Sequence, residues 1–117
     1  MIFRPELARL ILSGEKSMTR RRLPCRYRAD RWYKVQPGRG EKHVCHIFLT
    51  KVRVERLRDI SEQDAIREGF EGSTKFFVYW LKLVGEMRPR DFDERVAVIE
   101  WVVYPAVKDC CAKLEAA

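Results

Sequence analysis

The stretch HVCHIFLTKVRVERL, residues 43–57, decides the architecture. In its first half Val44, Cys45, Ile47, Phe48 and Leu49 leave no polar face, so a strand here has to be covered front and back. Past Thr50 the pattern changes: Val52 and Val54 alternate with Lys51, Arg53 and Glu55, the period-2 signature of a strand with one wet side. A long strand that passes from two-sided to one-sided burial, with a bend near Thr50, predicts a curled sheet. We therefore expect an α+β fold built on a small β-barrel with flanking helices. His46 reads as a satisfied sheet histidine.

On the N-terminal side, Leu7, Leu10 and Ile11 fall at i, i+3 and i+4, between a Pro5 suited to a first helical turn and a Gly14 suited to the left-handed position after a last one. This predicts a helix over 5–13. The alternation of Met18, Arg20 and Arg22 predicts a short strand. Tyr33 and Val35 fit inward positions of another, and residues 36–40 form a turn. On the C-terminal side, Ile60–Phe70 carries a helix with Ser61 as N-cap, Glu62 and Asp64 in the first turn and Gly69 as exit. Phe76, Phe77, Trp80, Leu81 and Val84 recur at helical spacing between Ser73 and Met87, an aromatic stripe that reads as packing. Glu94–Val103 alternates as Val96, Val98 and Glu100 against Ala97, Ile99 and Trp101, a final strand. Val107, Cys110, Cys111 and Leu114 share one helical stripe in a tail, 105–117, expected to pack on the same domain, 1–104.

A chain of 117 residues holds one core. It has no apolar run near the roughly 20 residues a membrane span needs, and Met1–Pro5 lacks the layout of a secretory signal, so a cytoplasmic address is expected. The formal net charge of +7 and pI near 9.5 would draw a polyanion to a clustered surface. The charge is clustered: Arg20, Arg21, Arg22, Arg26, Arg28 and Arg31 crowd one segment, while a group of six acids lies in another, from Glu55 through Glu71. Tyr27 and Trp32 interleave with these arginines as groups that stack on unstacked bases do, which marks Arg20, Arg21, Arg22, Arg26, Tyr27, Arg28 and Trp32 as candidates for binding RNA. The plainer reading is a solvated basic face, with Trp32 covering the end of the sheet. Cys25, Cys45, Cys110 and Cys111 show no C-x-x-C spacing, so neither a metal nor another cofactor is expected. A Cys25–Cys45 disulfide remains open for a hyperthermophile's protein.

Chemistry concentrates in Gly14–Arg22, where Lys16 and Thr19 follow a helix-ending glycine. Glu68 is the second signal: an acid in a last helical turn opposes the dipole and calls for nearby cations, with Lys16 or Arg21 as suitable partners. A threonine hydroxyl needs a base to act as nucleophile, and Lys16 serves only if neutral. Burial and arginine crowding lower its pKa and Glu68 raises it, so the sequence leaves the balance open.

These residues resemble the ASCH domain, a family similar to the PUA domain in fold. Its G-x-K-x-x-E-x-R hallmark is matched by Gly14, Lys16 and Arg21, with Thr19 where many members carry glutamate. The Glu68-Gly69-Phe70 helix ending and the strand Val98-Ile99-Glu100-Trp101 are also family-like, and Tyr33–Pro37 departs from the Gly-Asp common in relatives. The resemblance, over about residues 3–103, implies a PUA-like barrel with a cleft and a role in RNA binding or RNA metabolism. One branch hydrolyses N4-acetylcytidine with a lysine, a threonine and a glutamate, roles that would fall on Lys16, Thr19 and Glu68. The implied partner is RNA or a modified nucleoside held in a basic cleft, with deacetylation to cytidine and acetate as the alternative. A ribonuclease ranks last, because no pair of general acid and base histidines stands out.

Overall fold

The computed structural model describes residues 1–85 and 89–104. The elements run α1 (Pro5–Ser13), β1 (Met18–Arg22), β2 (Trp32–Val35), β3 (Cys45–Arg56), α2 (Glu62–Arg67), α3 (Ser73–Val84) and β4 (Arg95–Tyr104). Short 3-10 turns at Leu57–Asp59 and Pro89–Asp93 join them. The expected helix end at Met87 and the stripe through Val107, Cys110, Cys111 and Leu114 lie outside the described residues.

The strands form one antiparallel sheet in the order β1-β4-β3-β2. It stays open, which corrects the expectation of a closed PUA-like barrel. The reason lies in strand length and register. The edge strands are short, and they sit at opposite ends of the long central ladder. β2 pairs with Cys45–Phe48, whose β4 partners begin at Val102, whereas β1 pairs with Val96–Glu100. Two edges displaced diagonally in this way cannot share a hydrogen-bonded ladder, so the curl expected from β3 never becomes closure.

β4 is buried on both sides, as its alternation requires. Ala97, Ile99 and Trp101 join Phe3, Leu7, Ile11, Val35, Ile47 and Leu49 in a core under α1. Val96 joins Leu57, Ile60, Ala65, Phe76 and Trp80 in a second core made with α2 and α3. The register slips between Leu49 and Lys51, leaving Thr50 as the extra residue of a β-bulge. That residue switches the parity of β3. Cys45, Ile47 and Leu49 face the α1 core before it and Val52 does so after it, so Arg53 and Glu55 turn toward α2.

Local signals hold where they were strongest. Gly14 ends α1 at φ +86°, and the Ser61 hydroxyl accepts the Asp64 N–H at 3.0 Å. Gly69 follows α2 at φ +99°, and a Cβ there would lie 2.9 Å from Leu10 Cδ1. Gly69→Ala should therefore cost on the order of 1–3 kcal/mol from backbone strain, with the clash against Leu10 added to it. Gly40→Ala, at φ +78° with nothing within 4 Å of the added carbon, carries only the backbone part. Urea unfolding of the two variants should rank Gly69→Ala as the less stable, by the small added cost of moving the Leu10 methyl aside.

Candidate functional site

The segment after α1 is pinned from three directions. Lys16 N–H donates to Leu10 O (3.0 Å), Ser17 N–H to Arg67 O (2.8 Å), and Ser17 O accepts from Trp101 N–H (3.2 Å). The loop that leaves Gly14 is thus fastened to α1, to the end of α2 and to the centre of the sheet before β1 begins. Because β1 is an edge strand, its side chains reach a hollow where the α1 side and the α3 side of the sheet meet.

That hollow is a cavity of about 370 Å3. Phe3, Arg4, Pro5 and Leu7 line it from the start of α1, and Thr19, Arg20 and Arg21 from β1. Glu68 and Phe70 come from the end of α2, and Phe76, Tyr79 and Trp80 from α3. Lys16, Thr19 and Glu68, drawn from two distant parts of the chain, thus border one space, each at most 6% exposed.

The charges inside form a chain. Lys16 Nζ donates to Met18 O at 2.8 Å and Glu68 O at 2.7 Å, and lies 3.5 Å from Glu68 Oε1. The other Glu68 oxygen accepts from Arg20 at 2.8 Å, and the far side of the same guanidinium reaches Glu55 at 2.6 Å and Asp64 at 3.3 Å. Arg53 bridges Glu55, Asp64 and Glu100, and Arg67 caps Glu100 at 2.7 Å. The cations that answer Glu68 are therefore Lys16 and Arg20, not Arg21. Burial lowers the Lys16 pKa from 10.5 to about 8, the attraction of Glu68 opposing part of that shift and Arg21 and Arg20 adding to it. Two geometrically good bonds to carbonyls need only the two N–H groups of a neutral amine, so loss of the proton forfeits only the long contact to the carboxylate. Among the described residues the Thr19 hydroxyl has no hydrogen-bond partner. Arg20 Nε and Trp80 Nε1 are buried donors without one, both on residues that border the cavity.

The basic candidates divide. Arg20 is 4% exposed and held by three carboxylates, so it is an internal tether. Arg21 is half-buried at the cavity edge, and Arg22 is exposed and paired with Glu94. Arg21, Arg22, Arg26 and Tyr27 border a second hollow of about 180 Å3, with Arg28 exposed nearby in sequence. Tyr27 packs edge-on against Tyr33 at 5.2 Å. Trp32 is on β2, the opposite edge of the sheet, against Phe48 and Tyr104 and away from the cavity. Cys25 and Cys45 are free thiols, and among the described residues no group of three or more His, Cys, Asp or Glu could hold a metal. None of the described helices is long and apolar enough to cross a membrane.

Sequence reasoning did not reach Arg4, Phe3, Phe70 or Tyr79, nor the carboxylates Glu55 and Asp64 behind Arg20. Phe70 alone carried a signal, as the third residue of the Glu-Gly-Phe ending.

The ASCH domain profile matches residues 1–101. This chain belongs to the ASCH domain family. Solved structures with the same fold include an ASCH domain of Lactobacillus crispatus, with 22% identity, TM-score 0.62, and 84% of this chain aligned to 70% of that one. A protein of Enterococcus faecalis gives 22%, 0.60, 84% and 69%, and the ASCH protein of Zymomonas mobilis 18%, 0.61, 86% and 64%. A search among curated proteins finds no sequence match. Membership accords with nucleic-acid or nucleoside roles in general, without singling out one reaction.

A depressed lysine pKa has a consequence for stability. Below pH 8 both folded and unfolded chains carry the charge, and the fold bears the cost of burying it. Between about 8 and 10.5 the folded chain sheds the proton while the unfolded chain keeps it, so stability should rise with pH across that window and level off above it. Tyr79, whose pKa burial raises above 10, works the other way at the alkaline end. Urea unfolding from pH 7 to 10 should show the rise in the wild type and its loss in Lys16→Met, the difference between the two isolating Lys16.

Proposed function

We propose that the cavity receives one nucleobase, carried by a modified nucleoside or presented by an RNA strand, and that the chain acts in RNA metabolism through this recognition. The observation that carries the reading is the convergence of buried Lys16, Thr19 and Glu68 on a single aromatic-walled cavity of about 370 Å3. That size lies within the range of small-molecule pockets, roughly 300–1,000 Å3, and suits one nucleoside unit, not a length of polynucleotide. Phe70 supplies ring surface against a base, and Phe3 and Tyr79 wall the cavity beneath the Arg21 and Arg4 guanidinium groups. The Thr19 hydroxyl and the Glu68 carboxylate supply polar contacts for its edge, the carboxylate accepting from an exocyclic amine such as that of cytosine.

The second reading is hydrolysis of N4-acetylcytidine, favoured by the pKa of about 8 at Lys16. Neutral Lys16 would take the Thr19 proton as the Thr19 oxygen attacks the acetyl carbonyl. The C–N bond then breaks, the amine of cytidine leaves with the proton from Lys16, and water releases acetate from the acyl-threonine. Glu68 would position the lysine and the cytidine amine. Binding ranks ahead of it because Lys16 Nζ is turned to Met18 O and Glu68 and makes no hydrogen bond to Thr19.

Calorimetric titration of the full chain with N4-acetylcytidine and with cytidine tests the reading. At least one should bind, and Thr19→Ala should weaken binding about tenfold, the loss of one well-placed polar contact in a buried site; Glu68→Ala should weaken it further, because it also leaves buried Lys16 and Arg20 without their shared carboxylate. If acetate is also released, kcat/KM should climb about tenfold per pH unit up to a plateau near pH 8, and Lys16→Ala should abolish it. Failure of both nucleosides and of a cytidine-containing oligoribonucleotide to bind would remove the proposal.

A further inference from the structure

The acidic side of the molecule is neutralised internally. Glu55, Asp64, Glu68 and Glu100 are each within ion-pair distance of Arg20, Arg53, Arg67 or Lys16. The cavity's lip differs. Arg4 and Arg21 both line the opening, and among the described residues neither lies within ion-pair distance of a carboxylate. Each guanidinium is instead laid on a ring that also lines the cavity. Arg4 Cζ lies 5.5 Å from the centre of the Tyr79 ring, and Arg21 Cζ 4.9 Å from that of Phe3. A guanidinium held over a ring by this attraction is confined near it while N–H groups stay available to a ligand, although one Arg21 nitrogen already donates to Ile2 O at 2.8 Å. Glu6 and Glu68 are the carboxylates whose fields reach Tyr79 between the arginines, and Glu68 is already bound to Arg20 and Lys16.

Two guanidinium groups at the mouth of a base-sized cavity, without an ion pair among the described residues, call for a dianion just outside it. We infer that Arg4 and Arg21 form a phosphate subsite, so that the cavity takes a nucleotide, its base inside and its phosphate on the lip, in preference to a free nucleoside. The inference rests on the base-binding reading above and adds the chemical class of what carries the base. The arginines thereby acquire different roles, since Arg20 is held by carboxylates inside, whereas Arg4 and Arg21 face the ligand's charge. The phosphate can belong to a free mononucleotide or to an RNA strand, and the two sources differ in whether one phosphate suffices.

The test compares N4-acetylcytidine, its 5′-monophosphate, its 3′-monophosphate and a short oligoribonucleotide containing the same residue. The full-length chain is titrated at low and high salt. At least one phosphorylated probe should bind about tenfold or more tightly than the nucleoside, and the gap should narrow as salt rises, as expected for charge-assisted contacts at an exposed rim. A mononucleotide that matches the oligonucleotide assigns the subsite to a single terminal phosphate, and a further gain for the oligonucleotide assigns it to a strand. Arg4→Gln, at an exposed position whose side chain makes no helix cap, should shrink the ratio of nucleotide to nucleoside affinity severalfold, a ratio in which any change to the base pocket itself cancels. Arg21→Gln should do the same. Arg21→Lys, which keeps the charge, should retain part of the preference even if loss of the Phe3 contact lowers stability. Equal affinity for nucleoside and nucleotides at low salt would overturn the phosphate subsite and leave the base pocket standing. Failure of every probe would overturn the base pocket itself, and the subsite with it.

Discussion

An ammonium, a carboxylate and a guanidinium out of contact with water organise this domain. Lys16, Glu68 and Arg20 are each at most 4% exposed, and the cost of burying any one of them alone would exceed what a single surface contact returns. Together they are tolerable because each charge is met by opposite charge or by carbonyls, with Arg20 Nε left as a buried N–H without a partner among the described residues. Lys16 is turned to two carbonyls and a carboxylate, Glu68 to both cations, and Arg20 to two further acids. The same cluster explains the placement of three elements. The end of α2 has to meet the loop before β1, and β3 has to bring Glu55 beneath Arg20.

That last requirement is met by one residue. The bulge at Thr50 reverses the parity of β3, so that Arg53 and Glu55 face α2 while Val52 keeps contact with the core under α1. Without the extra residue the strand would present its charged side chains to the wrong layer. The open sheet follows from the same economy of strands. Two long strands form the ladder, two short ones border it at opposite ends, and α1 on one face with α2 and α3 on the other cover what a barrel would have enclosed.

The electrostatics of the molecule are therefore uneven, though its net charge is simply basic. Acids gathered around α2 bind Arg20, Arg53 and Arg67, while Arg4, Arg21, Arg26 and Arg28 have no ion pair among the described residues. Part of the surplus positive charge thus borders the aromatic cavity and the neighbouring loop. The lowered pKa of the lysine inside the cavity and the fixed positive charge at its lip are linked, since desolvation is the larger cause of the lysine's shift and Arg21 at the lip adds to it.

Periodicity and local chemistry in the sequence determined most of the elements. The helix of residues 5–13 with its glycine stop, the Ser61 cap, the bend near Thr50 and the two-faced final strand expected over Glu94–Val103 and found over Arg95–Tyr104 all depend on contacts a few residues apart, or on alternation that any sheet would enforce. The sequence also marked Lys16, Thr19 and Glu68, because a family pattern and an acid at the wrong end of a helix dipole made them conspicuous. It did not determine closure of the sheet, since the relative offset of two edge strands is a property of pairing between distant segments. Nor did it reveal which arginine answers Glu68. Arg20 and Arg21 are adjacent and chemically identical, and only the strand's alternation, read in register with Val98 and Ala97, sends one inward to the carboxylates and leaves the other at the lip. The tertiary structure decided those points because they depend on where chains meet, a distance that composition and spacing do not encode.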